Sequence, residues 1–111
     1  MRSLYLAISG LIFCSLAMAQ SPASGDSLSG EQLYRQVCLA CHGVNFDGKG
    51  PLASAVFPAP ANLNKHVREH SFMELMHPIM HGEAAMPAWS EVLTHDEAFS
   101  IVEYLQKETN K

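Results

Sequence analysis

The sequence predicts an all-α domain with long loops, and three observations carry that prediction. Three separate stretches open with a capping box and continue with apolar residues at helical spacing. No stretch alternates apolar and polar residues as a half-buried strand would. The segment from Gly43 to Lys65 holds Gly43, Gly48, Gly50, Pro51, Pro58 and Pro60 and keeps neither period, so it reads as one long loop. With 111 residues, 48% of them hydrophobic, the chain can build one small core and not two.

The order along the chain begins with a segment outside that core. Arg2 supplies a positive start, Leu4 to Leu16 is an almost unbroken apolar run, and Ala17-Met18-Ala19 has the small-x-small form of a cleavage site. Residues 1–19 are therefore expected to be a secretory signal peptide. The run falls short of the roughly 20 apolar residues that span a bilayer and contains Ser9 and Gly10, and no stable membrane anchor is expected once it is removed. Residues 20–28, QSPASGDSL, are small, polar and turn-forming, and are expected to be a flexible leader to a domain over 29–111.

In that domain, Ser29 and Gln32 form the first capping box, and Leu33, Val37 and Ala40 continue a helix that runs into a cysteine motif. The long loop follows. A loop of that length in a compact domain needs something to wrap. Ser71 and Glu74 cap a second helix with Phe72, Leu75, Met76, Ile79 and Met80 on one stripe, Pro78 inside it as a source of a kink, and Gly82 as its C-terminal cap. Met76 and Met80, with Met73 at the flank, are expected to be core fillers. Thr94 and Glu97 cap a third helix, whose stripe is Ala98, Ile101, Val102 and Leu105.

The chemistry-bearing motif is Cys38-Leu39-Ala40-Cys41-His42. Once Cys14 leaves with the signal, Cys38 and Cys41 are the remaining cysteines, and they close too short a loop to staple a small exported domain. A redox dithiol would call for a βαβ context, which the pattern lacks, and a structural zinc site would call for further ligands at ordered spacing. Cysteines three apart with a histidine directly after the second suit covalent attachment of one haem: two thioether bonds to the porphyrin and an imidazole for the iron. A large apolar cofactor would also supply the core that so small a domain is short of.

With these residues in view, the chain resembles a monohaem class I cytochrome c of the short bacterial periplasmic type, over Gly30 to Gln106. Gly30 stands eight residues before the first cysteine and Tyr34 four before it, where the first and last helices cross in that family, and the resemblance implies Ile101 and Tyr104-Leu105 as their partners. Met86-Pro87-Ala88-Trp89 matches the family's methionine loop, which implies Met86 as the second axial ligand opposite His42. The resemblance further implies that a carbonyl near Pro51, Pro58 or Pro60 orients His42, that Leu63 packs on the haem, that Trp89 lies near its edge, and that His81-Gly82 has a packing role.

The implied fold is three main helices and long loops around one covalently bound haem. The implied function is one-electron transfer in the periplasm with His/Met axial ligation, by a carrier that is not an enzyme, acting on redox partner proteins or as a subunit of a larger oxidoreductase. Two rivals stand beside it. One is a haem enzyme or gas sensor with an open sixth position. The other is a copper-binding protein that uses His66, His70, His77 and His81 with the methionines of segment 66–86, since thioether and imidazole are good copper donors. Helical geometry puts His77 and His81 toward the polar side, away from Met76 and Met80, and His66, His70 and His95 read as solvated surface residues. Eleven acidic residues against seven basic argue against nucleic acid as a partner.

Overall fold

The structure is a computed structural model that describes residues 27–111; the expected signal peptide and leader residues 20–26 lie outside the described residues. The described part is helical: α1 (Gly30–Val37), α2 (Leu39–His42), a single 3₁₀ turn (Ala53–Ala55), α3 (Leu63–Glu69), α4 (Phe72–His81) and α5 (His95–Thr109). Among the described residues there is no strand. The three expected capping boxes all form, at Ser29/Gln32, Ser71/Glu74 and Thr94/Glu97. Each satisfies two backbone N–H groups that a helix start leaves without partners.

The expected first helix is broken by a turn at Cys38, which ends α1 and begins α2. The loop then completes the short second piece. Gly48, Gly50 and Leu52 donate their amides to the carbonyls of His42, Cys41 and Ala40, at 2.9, 3.0 and 2.8 Å, so the orphan carbonyls of α2 are capped by the loop that follows it. The far end of the loop differs from expectation: α3 begins at Leu63, two residues before the predicted loop end at Lys65, with Asn62 as its N-cap. Seven residues with only Leu63 and Val67 buried are too short to display a period, although an asparagine followed by an i, i+4 apolar pair was a legible start signal.

α5 is the spine of the domain. Ala98, Ile101 and Val102 are fully buried and Leu105 nearly so, and α1, α3 and α4 all pack against it. The crossing with α1 is tight at Gly30, where an added Cβ would overlap the backbone carbonyl of Ser100 and lie 2.9 Å from the Tyr104 Cβ. The nearest atoms are the Ser100 carbonyl and Tyr104, the latter among the partners the resemblance implied. Tyr34 reinforces the crossing, with ring centroids 5.9 Å from Tyr104 and 5.0 Å from Phe46. Its hydroxyl donates to the Gly43 carbonyl at 2.6 Å, next to the cysteine motif.

α4 continues through Pro78, which removes one amide donor, and ends at Gly82 with φ of 75°. Met76 and Met80 are buried as expected, whereas Met73 is 70% exposed. Met73 falls on the outer side of α4 and fills no core. Met76→Ala is therefore expected to cost the ~2–5 kcal/mol of a buried methionine truncation, and Met73→Ala less than about 0.5 kcal/mol, read as the shift in denaturant midpoint.

Candidate functional site

Two cavities, of about 270 and 300 Å³, share a wall made by Cys38, His42, Pro58, Glu83, Ala84 and Met86. Together they fall within the ~300–1,000 Å³ typical of ligand sites. Cys41, Leu52, Val56, Pro60 and Trp89 line the first; Leu63, His66, Leu75, Ile79, Ile101 and Leu105 line the second. Cys38, Cys41, His42 and Met86, more than forty positions apart at their extremes, thus meet at one apolar cleft. Leu63 and Trp89 stand on its walls as well.

The backbone around each of these residues explains its place. The α2 turn presents Cys38, Cys41 and His42 from adjacent positions, and the loop is tied across it by the amide bonds described above. Phe46 anchors the loop's return, its carbonyl accepting from Leu63 and Asn64 at 2.7 and 3.2 Å. On the opposite side, the amides and carbonyls of Glu83 and Met86 pair with each other at 2.8 and 3.0 Å in a tight turn, and the Trp89 amide donates to the Ile79 carbonyl at 2.9 Å. These bonds pin the methionine segment to α4.

His42 is held by one bond of clear polarity. Its Nδ1 lies 3.0 Å from the carbonyl oxygen of Ala61, so Nδ1 carries the proton and donates, and Nε2 keeps its lone pair. Burial pushes the imidazole below its ordinary pKa, against the raising effect of the Ala61 bond and with a further lowering from His66. A neutral imidazole with a free Nε2 is the form that binds a metal. The orienting carbonyl belongs to Ala61, directly after Pro60 and so within the proline region that the resemblance implied. A backbone acceptor carries no residue-type signature, which is why the sequence left it open.

Burial, and then the neighbouring Cys41, push the Cys38 thiol up to about 12. Catalytic dithiols have a thiol lowered toward or below neutrality, so the environment is opposite to that of a redox CxxC pair. The two cysteines are free thiols in the structure. The cleft residues fit a haem: the paired thiols, the imidazole with its exposed-lone-pair nitrogen, the thioether of Met86 and the apolar walls are the donor set and the setting it requires.

The histidines outside this set do not gather. His66 and His70 pack in a tilted pair at 4.0 Å between ring centroids, and His77 and His81 stack at 4.5 Å, each pair on its own helix or helix end. Among the described residues no three His, Cys, Asp or Glu side chains form a metal-binding group. Copper added to the purified protein is expected to bind without tight stoichiometry, and His77→Ala to leave electron transfer unchanged; calorimetric titration checks the first and stopped-flow reduction the second. Two of the expected surface histidines are placed differently: His66 is half-buried and lines the second cavity, and His70 is half-buried against it, while His95 is exposed.

The chain is similar to known c-type cytochromes in sequence and in fold. The family described as cytochrome C oxidase, cbb3-type, subunit III matches residues 25–105. Chloroplastic cytochrome c6 of Chlamydomonas reinhardtii is 26% identical over 91 residues, 81% of this chain, and the chain spans 60% of that curated relative's length. Among solved structures, the KustC0563 c-type cytochrome superposes with a TM-score of 0.60 at 25% identity, covering 72% of this chain and 96% of that one. The c-type cytochrome NirC is alike in fold, with a TM-score of 0.56 at 24% identity over 71% of this chain and 86% of that one.

Proposed function

Because the chain belongs to the cbb3-type cytochrome c oxidase subunit III family and is a class I c-type cytochrome, we propose that it is a one-electron carrier with a single haem held by Cys38, Cys41, His42 and Met86. The observation that supports this most directly is the placement of Cys38, His42 and Met86 on the wall common to both cavities. In this reading Cys38 and Cys41 would hold the porphyrin by thioether bonds. His42 contributes Nε2 and Met86 its sulfur to the iron. Bound there, the haem supplies a one-electron couple between ferrous and ferric iron.

The rest is done by the chain's own groups. The Ala61 carbonyl holds the tautomer of His42, and the Glu83–Met86 turn with the Trp89–Ile79 bond holds the methionine sulfur in place. Leu63, Leu75, Ile79, Ile101 and Leu105 exclude water from one side. With His42 and Met86 both supplying ligands, no position would be left for a substrate, and the chain would carry electrons rather than catalyse. A neutral thioether favours the reduced state and raises the potential over a second imidazole.

The setting of the proposal is the periplasm, reached by a signal over residues 1–19, with a cytochrome domain over 29–111 and redox proteins as donor and acceptor. No helix among the described residues is long and apolar enough to cross a membrane. The family's description as an oxidase subunit extends the reading to service within a larger oxidoreductase.

Met86 is the residue that separates carrier from catalyst, and its substitution tests the proposal. The ferric protein is expected to show the near-infrared charge-transfer band of methionine-ligated iron, and the ferrous protein to bind carbon monoxide poorly at neutral pH. Met86→Ala should abolish the band, open the metal to carbon monoxide and lower the potential. Rapid carbon monoxide binding by the unsubstituted ferrous protein would replace the carrier with an open-site enzyme or sensor.

A further inference from the structure

The charged groups of the cleft are few and one-sided. Among the described residues neither cavity is lined by a lysine or an arginine, and one carboxylate, Glu83, lines both. The side chains there that can carry positive charge are His42 and His66. A haem is itself an anion at its rim, since it bears two carboxylates, and a carboxylate placed against apolar walls requires donors, most effectively charged ones. His42 is already committed, with Nδ1 on the Ala61 carbonyl and Nε2 directed to metal binding in the reading above.

His66 is positioned and unengaged. It sits one turn after Leu63 on α3, half-buried, on the wall of the second cavity. Among the described residues its ring nitrogens make no hydrogen bond, whereas those of His42, His70 and His81 each do. The ring is nonetheless held, packed in a tilted arrangement at 4.0 Å against His70, which is fixed in turn by its Nδ1 bond to the His66 carbonyl at 2.9 Å. Gln36 and Trp89, on the first cavity, can donate only as neutral groups.

We propose that His66 receives a haem carboxylate and is the cationic anchor of the cleft, an inference that rests on the haem reading of the preceding section. It is a positioning residue: it touches the rim of the cofactor and tunes it through charge. The groups that face it are His70 and Glu69 from its own helix and its end, Glu83 from the methionine turn, and His42 from α2. In the protein alone, burial and then His70 push His66 below its ordinary pKa, and Glu83 and Glu69 do not reverse this. A carboxylate at hydrogen-bond distance acts in the opposite direction and stabilises the imidazolium. The sign is therefore diagnostic. A histidine raised by its partner stays charged to a higher pH, and its positive charge favours the reduced state until it deprotonates.

The experiment uses the exported, haem-loaded protein. Covalent haem is first verified by staining after denaturing electrophoresis. The His66 ring is then titrated by NMR in the diamagnetic reduced form, and the midpoint potential is followed against pH. His66 is expected to titrate above the ordinary ~6.5 of histidine, and the potential to fall as pH rises through that titration. His66→Leu should keep its haem but lose the step and sit at the lower, high-pH potential throughout. His66→Arg should keep the higher, low-pH potential across the range. Glu83→Gln should leave the raised titration in place. Titration of His66 below the ordinary value with haem attached, an unchanged potential profile in His66→Leu, or loss of the raised titration in Glu83→Gln would each overturn the assignment while leaving the haem reading intact. Absence of covalent haem from the unsubstituted protein would overturn both.

Discussion

Replacement of both Cys38 and Cys41 by alanine is expected to give an exported chain without haem and with little folded domain. The walls of the cleft are not spare surface: Leu63, Leu75, Ile79, Ile101 and Leu105 belong to the one buried core. A cleft of this size lined by such a core would, without its occupant, leave apolar side chains facing solvent at about 25 cal/mol for each Å². The whole domain is held together by only ~5–15 kcal/mol, so a loss of that kind is a large fraction of its stability. Haem staining, mass spectrometry and far-ultraviolet circular dichroism read the result. Cys41→Ala alone should keep one link through the more buried Cys38, with reduced haem yield. An unsubstituted exported chain that weighs as bare polypeptide with two titratable thiols would remove the premise.

Gly30→Ala is expected to produce the second largest effect, at a position some distance from the cleft. A methyl group there overlaps the Ser100 carbonyl, which is backbone and cannot rotate away, so α1 and α5 must separate. The loss should lie at the upper end of the ~1–3 kcal/mol of core overpacking, only partly offset by alanine's better helix propensity. In a domain of this size each kcal/mol lowers Tm by roughly 4–8 °C. Tyr34 and Phe46 pack at the same crossing, and Tyr34 bonds to Gly43 beside His42, so the strain should reach the cysteine turn as well. Thermal unfolding followed at the haem absorbance, with Glu31→Ala as an exposed control on the same helix, makes the comparison. Equal Tm values for the two variants would mean that the helices tolerate the added carbon and that their close approach is not required.

What the sequence by itself determined was local. The three capping boxes, the apolar stripes of α4 and α5, the Gly82 stop and the adjacency of Cys38, Cys41 and His42 depend on residues within one or two helical turns of each other, and periodicity and side-chain chemistry record such relations directly. The Met86-Pro87-Ala88-Trp89 motif was equally legible, but only the fold brings it to the same cleft as the cysteines. Tertiary structure alone decided that the Ala61 carbonyl orients His42 across nineteen residues, that Gly30 abuts Ser100, that Met73 faces out, and that His66 lies on the cleft wall. These relations arise where a loop with no repeating pattern folds back on α2, or where two helices meet at a particular rotation about their axes. A backbone carbonyl is the same in every residue, and a flanking side chain on a helix is buried or exposed by its neighbour's position, so neither leaves a mark in the one-dimensional pattern.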